Sequence, residues 1–171
     1  TEDGCKSWSN VLEISENTGI NEVHLDPRNP DVMYASSYQR RRHVWVLING
    51  GPEGALYKSK DGGKTWNKLT NGLPKGDIGR VGLAISPARP DTVYAIVEAA
   101  GKDSGFYRSV DAGASWEKRS DYVAGSPQYY NEIIADPVKA DRVYSMDTWM
   151  HVTEDGGKSF HKVGEAPKQV A

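Results

Sequence analysis

Ser59-Lys60-Asp61-Gly62-Gly63-Lys64-Thr65-Trp66 decides the fold, because the chain writes this phrase four times. The other copies are Thr1-Glu2-Asp3-Gly4-Cys5-Lys6-Ser7-Trp8, Ser109-Val110-Asp111-Ala112-Gly113-Ala114-Ser115-Trp116 and Thr153-Glu154-Asp155-Gly156-Gly157-Lys158-Ser159-Phe160. The common form is hydroxyl-x-Asp-small-small-x-hydroxyl-aromatic. The four aspartates stand 58, 50 and 44 residues apart. A phrase returning at such a period marks a repeat architecture.

A second phrase runs in phase with the first. Asp26-Pro27-Arg28-Asn29-Pro30-Asp31-Val32-Met33-Tyr34 returns as Ser86-Pro87-Ala88-Arg89-Pro90-Asp91-Thr92-Val93-Tyr94 and as Asp136-Pro137-Val138-Lys139-Ala140-Asp141-Arg142-Val143-Tyr144. Each begins 23 to 25 residues after the aspartate of the preceding Asp phrase. Between the phrases lie short strand-forming runs. Arg80 to Ser86 alternates apolar Val81, Leu83 and Ile85 with small or polar residues, which predicts a half-buried strand. Pro87 to Asp91 is a turn. Thr92 to Val97 is rich in β-branched and aromatic residues, a second strand. Gly105–Ser109 and Ser115–Arg119 follow as the third and fourth, with the Asp phrase as the tight turn between them. Four antiparallel strands per repeat of roughly fifty residues are the pattern of a β-propeller blade. The fold class is therefore all-β. No long segment has helical periodicity.

The Asp phrase has a mechanical reading. Its carboxylate accepts hydrogen bonds from amides of its own loop. The small residues that follow permit positive φ. The closing ring is an apolar plug beneath the hairpin. Asp3, Asp61, Asp111 and Asp155, with Trp8, Trp66, Trp116 and Phe160, are accordingly read as structural. Catalysis or metal binding by these carboxylates is the alternative, disfavoured because they fall in separate blades.

The phrase resembles the Asp-box, or BNR repeat, of sialidase-like propellers. Its pairing with Asp-Pro-x-x-Pro-Asp-x-Val-Tyr is similar to microbial propellers related to sortilin-type ectodomains and to xyloglucan-degrading glycoside hydrolases. The resemblance covers essentially the whole chain; it is specific for fold and unspecific for activity. It implies export (a secreted, periplasmic or cell-surface protein) and Asp-boxes on the face away from the ligand. Cys5 stands where the pattern has Gly; Ala112 and Ala114 are milder departures.

The expected organisation is one partial propeller over 1–171. Residues 1–15 read as the outer strand of a preceding blade, and 20–70, 78–120 and 128–164 as complete blades. Propellers close with about 4–8 blades. The expected partners are therefore further blades of the same protein, or other copies of this chain.

Composition narrows the function only by exclusion. A net charge of −2 carries no nucleic-acid footprint. No run approaches the length of a membrane span. The single cysteine permits no internal disulfide. His24, His43, His151 and His161 have no metal-ligand spacing, so no metal or cofactor is expected.

Binding belongs where the repeat is broken. The Pro and Asp phrases share one face. The second-to-third and blade-to-blade loops share the other, and these vary. Tyr34 to Tyr57 spans 23 residues against 13 for Tyr94 to Tyr107. The extra length holds Arg40-Arg41-Arg42-His43-Val44-Trp45 and Asn49-Gly50-Gly51-Pro52-Glu53-Gly54. Guanidinium groups fork onto carboxylate, phosphate or sugar oxygens, and rings stack on sugars. Arg40, Arg41, Arg42 and Trp45 are thus candidate ligand contacts, against a plain solvated basic loop. Tyr129, Tyr130 and Trp149 are a candidate aromatic platform for glycan or peptide, against inter-blade packing. The catalytic residues are unknown. A glycosidase needs two carboxyls about 5–9.5 Å apart, and Glu16, Asp77, Glu98, Asp121 and Asp147 all fall on this face without singling out a pair. Three functions stay open: a binding or scaffold propeller, which the absence of a catalytic constellation favours; part of a glycoside hydrolase; and a structural element of a larger exported assembly.

Overall fold

The computed structural model describes residues 1–164. Among them are thirteen strands and no helix. The first sheet holds β1 (Thr18–Asp26), β2 (Asn29–His43), β3 (Val46–Asn49), β4 (Ala55–Ser59) and β5 (Asn67–Leu69). The second holds β6 (Ile78–Ile85), β7 (Val93–Ala99), β8 (Gly105–Ser109) and β9 (Glu117–Ser120). The third holds β10 (Glu132–Ala135), β11 (Val143–Met146), β12 (His151–Thr153) and β13 (His161–Lys162). Each sheet is an antiparallel meander in chain order, with β3 attached to the side of β2. Strand β1 packs on β6, and β6 on β10, so the first strands of consecutive sheets lie together at the inner edge. These are three blades of a propeller.

The two sequence phrases are in phase because they are hydrogen bonded to each other. In each blade the aspartate at the sixth position of the Pro phrase offers its backbone carbonyl to an Asp-phrase amide. Gly62 N–H donates to Asp31 at 3.0 Å, Ala112 to Asp91 at 2.8 Å and Gly156 to Asp141 at 2.9 Å. The donor in each case has positive φ, and Ala112 accepts the strain of that region at 55°.

Alternation along the strands sends one set of side chains to each neighbouring blade. Tyr34 and Leu56 of the first sheet meet Val81, Leu83, Val93, Ala95, Val97, Tyr107 and Trp116 of the second. The opposite face of the second sheet, with Ala84, Tyr94, Ile96 and Phe106, meets Ile133, Ala135 and Val143 of the third. Each fully buried Val, Leu or Phe contributes roughly 1.5–3 kcal/mol, so the interfaces between blades, not the ladders alone, hold the array. Polar ties reinforce them. Tyr34 Oη donates to the Ala112 carbonyl and Tyr94 Oη to that of Ala140, both at 2.8 Å. Glu22 accepts the Leu83 amide at 2.8 Å, joining β1 to β6. Arg28 bridges Asp26 and Asp91, each at 2.8 Å.

Two expectations need revision. Residues 1–14 form no strand. A fourth strand exists only when hydrogen bonded to a third, and no described segment pairs with these residues. Their Asp turn forms on its own, and its ring, Trp8, is 76% exposed where Trp116 is 6% exposed. The long insertion of the first blade is not a loop. Arg40–His43 extend β2 and pair with β3 in the register Arg40–Asn49, Arg41–Ile48, Arg42–Leu47 and His43–Val46. The run Val46-Leu47-Ile48 is strand-prone, and it zips against the basic residues into a hairpin arm.

Candidate functional site

The blade topology gives the array two rims. The Asp phrases, between β4 and β5, β8 and β9, and β12 and β13, lie on one, and their carboxylates are bonded within their own turns. Asp61 accepts the Thr65 amide at 2.9 Å, the Thr65 hydroxyl at 2.5 Å and the Ser59 hydroxyl at 2.8 Å. Asp111 accepts the same set from Ser115 and Ser109, and Asp155 from Ser159 and Thr153. Asp3 repeats the pattern with Ser7 and Thr1, although Cys5 takes a φ of 69° where the other copies have glycine. The hydroxyl at the i+4 position leads in holding Asp3, Asp61 and Asp111 down to a pKa of about 2. For Asp155, burial pushes upward, and the bonds from Ser159 and Thr153 together outweigh it. Trp66 and Trp116 return their indole N–H to the carbonyls of Gly63 and Gly113, at 3.0 and 3.2 Å. Each of these carboxylates thus spends at least three acceptor positions inside its own turn. A cavity of about 380 Å³ on this rim is lined by Lys58, Lys60, Asp111 and Ala112 among others. The Lys58 ammonium already donates to the Ala112 carbonyl at 2.5 Å and lies 5.0 Å from the Tyr34 ring centre.

The other rim carries the arm. Its base is clamped at several points. Gly51 exchanges two backbone hydrogen bonds with Ile78, both at 3.1 Å, so the first blade's insertion pairs with the second blade's inner strand. A Cβ on Gly54 would fall 2.3 Å from the Ile78 carbonyl oxygen, which is why this crossing is written in glycine. Glu53 accepts the hydroxyls of Ser15 and Thr18 at 2.6 and 2.5 Å, and these bonds hold its carboxyl below the usual range. Tyr38 Oη donates to Asn49 Oδ1, while Asn49 Nδ2 donates to Glu98 at 2.8 Å. Glu98 also accepts the Arg80 amide at 3.1 Å. Neither the composition of the insertion nor its length pointed to this Tyr38–Asn49–Glu98 chain; only the crossing of two blades assembles it.

From that base the arm runs out to Val44 and Trp45, which are 96% and 83% exposed. Arg40, Arg41 and Arg42 lie along it, all exposed. Arg41 donates to the Asn17 side chain. The rings of His43 and Trp45 stack at 6.0 Å with 12° between planes.

The aromatic candidates lie elsewhere on this rim. Tyr129 and Tyr130, 57% and 39% exposed, sit on the crossing into the third blade. Both amides donate to the Ser126 carbonyl, at 2.9 and 3.0 Å. Next to them Asn131 is fully buried at φ 94° and donates to the carbonyls of Arg80 and Ile96. It pins the tyrosine segment to the second blade. Trp149 is 63% exposed, with the Lys162 ammonium 4.2 Å from its ring centre. The arm belongs to the first blade and Trp149 to the β11–β12 connection of the third, so the second blade separates them.

The acids of this rim are largely committed. Asp147 accepts the amides of Gly125 and Thr148 at 2.8 and 2.7 Å. Asp121 pairs with Lys118 at 2.6 Å, which lowers its pKa. Asp77 and Glu98 line one cavity of about 200 Å³ with Asn49, Gly50 and Gly79. At the inner edge, His24 lies 3.2 Å from Glu22. Among the described residues no group of three or more His, Cys, Asp or Glu side chains is placed to hold a metal ion, and no helix is long and apolar enough to cross a membrane.

The geometry of the repeated turn has a counterpart in known proteins. The BNR/Asp-box repeat family matches residues 57–68, which run from Tyr57 through the second Asp phrase.

The fold is an Asp-box β-propeller.

Solved structures agree. A GH74 xyloglucanase from Xanthomonas campestris superposes with a TM-score of 0.59 at 23% identity over 87% of this chain and 24% of its own. YCF48 from Cyanidioschyzon merolae gives 0.56 at 17% identity, over 86% of this chain and 37% of its own. YCF48 bound to D1 peptide gives 0.59 at 16% identity, over 89% and 41%. The chain thus spans a quarter to two fifths of the length of these structures. At these identities the likeness establishes the propeller fold alone. Comparison with curated protein sequences gives no match.

Proposed function

We propose that this Asp-box propeller segment is a binding or scaffold module that takes an extended ligand, a peptide or a glycan, on the rim opposite the Asp phrases. One observation carries the reading: exposed arginine and aromatic side chains gather on that rim, while the Asp-phrase rim spends its carboxylates internally. Tyr129, Tyr130 and Trp149 supply flat apolar surface with polar edges, suited to an extended chain or a sugar face. The rigid blades beneath keep the ordering cost of such a surface low. A propeller of the same fold, YCF48, has been solved with a peptide bound, which makes a peptide the first ligand to try. Export from the cytosol belongs to the same reading, and cell fractionation decides it.

The test is a peptide and glycan screen on the full protein, with Tyr130→Ala, Trp149→Ala and Arg41→Ala against Lys64→Ala on the far rim. Loss of binding on the first three, with Lys64→Ala unaffected, supports the reading. The reverse pattern refutes it.

The glycoside hydrolase alternative has one observation in its favour, the shared cavity of Asp77 and Glu98. The bonds Glu98 accepts from Asn49 and Arg80 make it a structural acceptor in the first instance. Hydrolysis of a β-glucan that disappears in both Asp77→Asn and Glu98→Gln, with folding intact, would instead establish an enzyme.

A further inference from the structure

We infer that the β2–β3 arm is a docking device for an anionic lipid surface. The order of side chains along the hairpin carries this. Val44 and Trp45 form the tip, 96% and 83% exposed. Behind them come the rungs His43–Val46, Arg42–Leu47, Arg41–Ile48 and Arg40–Asn49. Rungs are spaced about 3.3 Å, so the Arg42 rung lies roughly 7 Å behind the tip. Interfacial elements bury their apolar part about 5–10 Å into the boundary between headgroups and acyl chains. With Val44, Trp45 and Val46 at that depth, the arginines reach the phosphate layer. Tryptophan favours this boundary, and guanidinium forks onto phosphate oxygens.

The charge on the arm is unbalanced. Residues 40–49 contain three arginines and no acid, in a chain whose net charge is −2. Among the described residues, none of the three arginines forms an ion pair with a carboxylate. The tip residues are also not what the turn asks for. Two-residue hairpin turns favour Asn-Gly with positive φ. Here the turn is Val-Trp, and neither residue has positive φ. Turn geometry therefore does not select the apolar tip, whose Trp45 ring stacks on His43 of the same arm.

The register favours a bilayer over an acidic protein. Arg41, His43, Val46 and Ile48 share one face of the arm, and Arg40, Arg42, Leu47 and Asn49 the other. Val46 and Ile48 are 42% and 40% exposed. Cationic and apolar groups thus occur on both faces. A groove in a protein grips one face, whereas a lipid surface surrounds the tip. The clamp at Gly51–Ile78 and the Tyr38–Asn49–Glu98 chain hold the arm's root, so its insertion needs little further ordering. The inference shares Arg41 with the ligand reading above but not Tyr130 or Trp149, so those two variants tell the readings apart.

The experiment is co-sedimentation of the full chain with vesicles of one part phosphatidylglycerol to two parts phosphatidylcholine, against phosphatidylcholine alone. Binding is expected to the anionic vesicles and to weaken as salt rises from about 0.1 M to 1 M, where the screening length falls from about 10 to 3 Å. The variant Arg40→Gln/Arg41→Gln/Arg42→Gln should lose roughly a hundredfold in partitioning, from about a fivefold factor per arginine. Val44→Ser/Trp45→Ser should lose roughly tenfold or more, and Lys64→Ala nothing. Thermal melts of the variants, expected to match the parent, separate lost binding from lost fold. Equal binding to neutral vesicles, indifference to both arm variants, or arginine-dependent binding to polyglutamate with the vesicles inert would each overturn the proposal. Loss of peptide or glycan binding in Trp149→Ala with vesicle binding intact would leave the two readings separately resolved.

Discussion

Val23 and Leu83 occupy the same place in consecutive blades, yet Val23 is 51% exposed and Leu83 fully buried. Val23 pairs with Ala35 and Leu83 with Ala95, each beside the tyrosine that closes a Pro phrase. Ile133, at the matching position of the third blade, is 4% exposed. The difference is the neighbour. The second and third blades have a sheet packed on this face, and the first has none among the described residues. Leu25, two rungs along on the same face, is 51% exposed as well, so the first blade presents the apolar face that its successors bury.

The matched positions should therefore respond differently to truncation. Leu83→Ala is expected to cost about 2–5 kcal/mol, as a cavity inside the first interface. Val23→Ala should change stability by less than about 1 kcal/mol, since its surface is already half in water. Denaturant melts of the two variants compare them directly, and equal losses would mean the Val23 face is covered.

Asp111 is predicted to hold its turn by accepting hydrogen bonds. Asp111→Ala leaves the buried Ser109 hydroxyl and the Ser115 amide without their acceptor, with an expected loss of about 1–3 kcal/mol. Asp111→Asn, which keeps one acceptor oxygen, should lose less. A thermal melt is sufficient; no change in Asp111→Ala would remove the structural role.

Acid sensitivity has a definite window. The folded pKa of Asp3, Asp61 and Asp111 is lowered to about 2, against about 3.9 in an unfolded chain. A depressed folded value means the contribution is complete above the unfolded pKa and fades as pH falls. From neutral pH downward the melting temperature should be flat to about pH 5 and decline between about pH 4 and 2. Asp61→Asn should flatten part of that decline.

At the alkaline end the sign reverses. Burial raises the phenol of Tyr34 and pushes that of Tyr94 up to about 12. A raised folded pKa gives stability that is complete below the unfolded value, about 10, and is lost as pH climbs toward the folded one. Unfolding should accompany phenol ionisation between about pH 10 and 12, read by ultraviolet absorbance. In Tyr34→Phe/Tyr94→Phe the alkaline transition should shift upward, even though each lost hydroxyl bond costs about 0.5–1.5 kcal/mol at neutral pH.

Glycine at position 82 is predicted to be irreplaceable. A Cβ there would lie 1.8 Å from the Asn131 carbonyl oxygen, where the tyrosine-bearing segment crosses the second blade. Gly82→Ala should cost about 3 kcal/mol or more, because backbone, not a movable side chain, blocks the space. It should also disturb the Tyr129–Tyr130 station more than the distant arm. Hydrogen exchange on the two segments reads both effects.

What the sequence by itself determined is what repeats. The Asp phrase and the Pro phrase are local: a carboxylate reaches amides four residues on, and proline sets its own φ, so turn geometry is written within eight or nine residues. Spacing in phase then fixed the blade, because strands of fitting length join turns on alternate ends. The tertiary structure alone decided the rest. The paired course of Arg40–His43 and Val46–Asn49 required register between strands, and hydrophobic spacing over such a short run does not specify it. The Asn49–Glu98 bond and the bonds of buried Asn131 join residues 35 to 51 positions apart on different blades, so no window of sequence contains them. The exposure of Val23 depends on a neighbour that its own segment cannot supply. Local hydrogen bonding is legible in a line of residues; burial is a property of what packs against them.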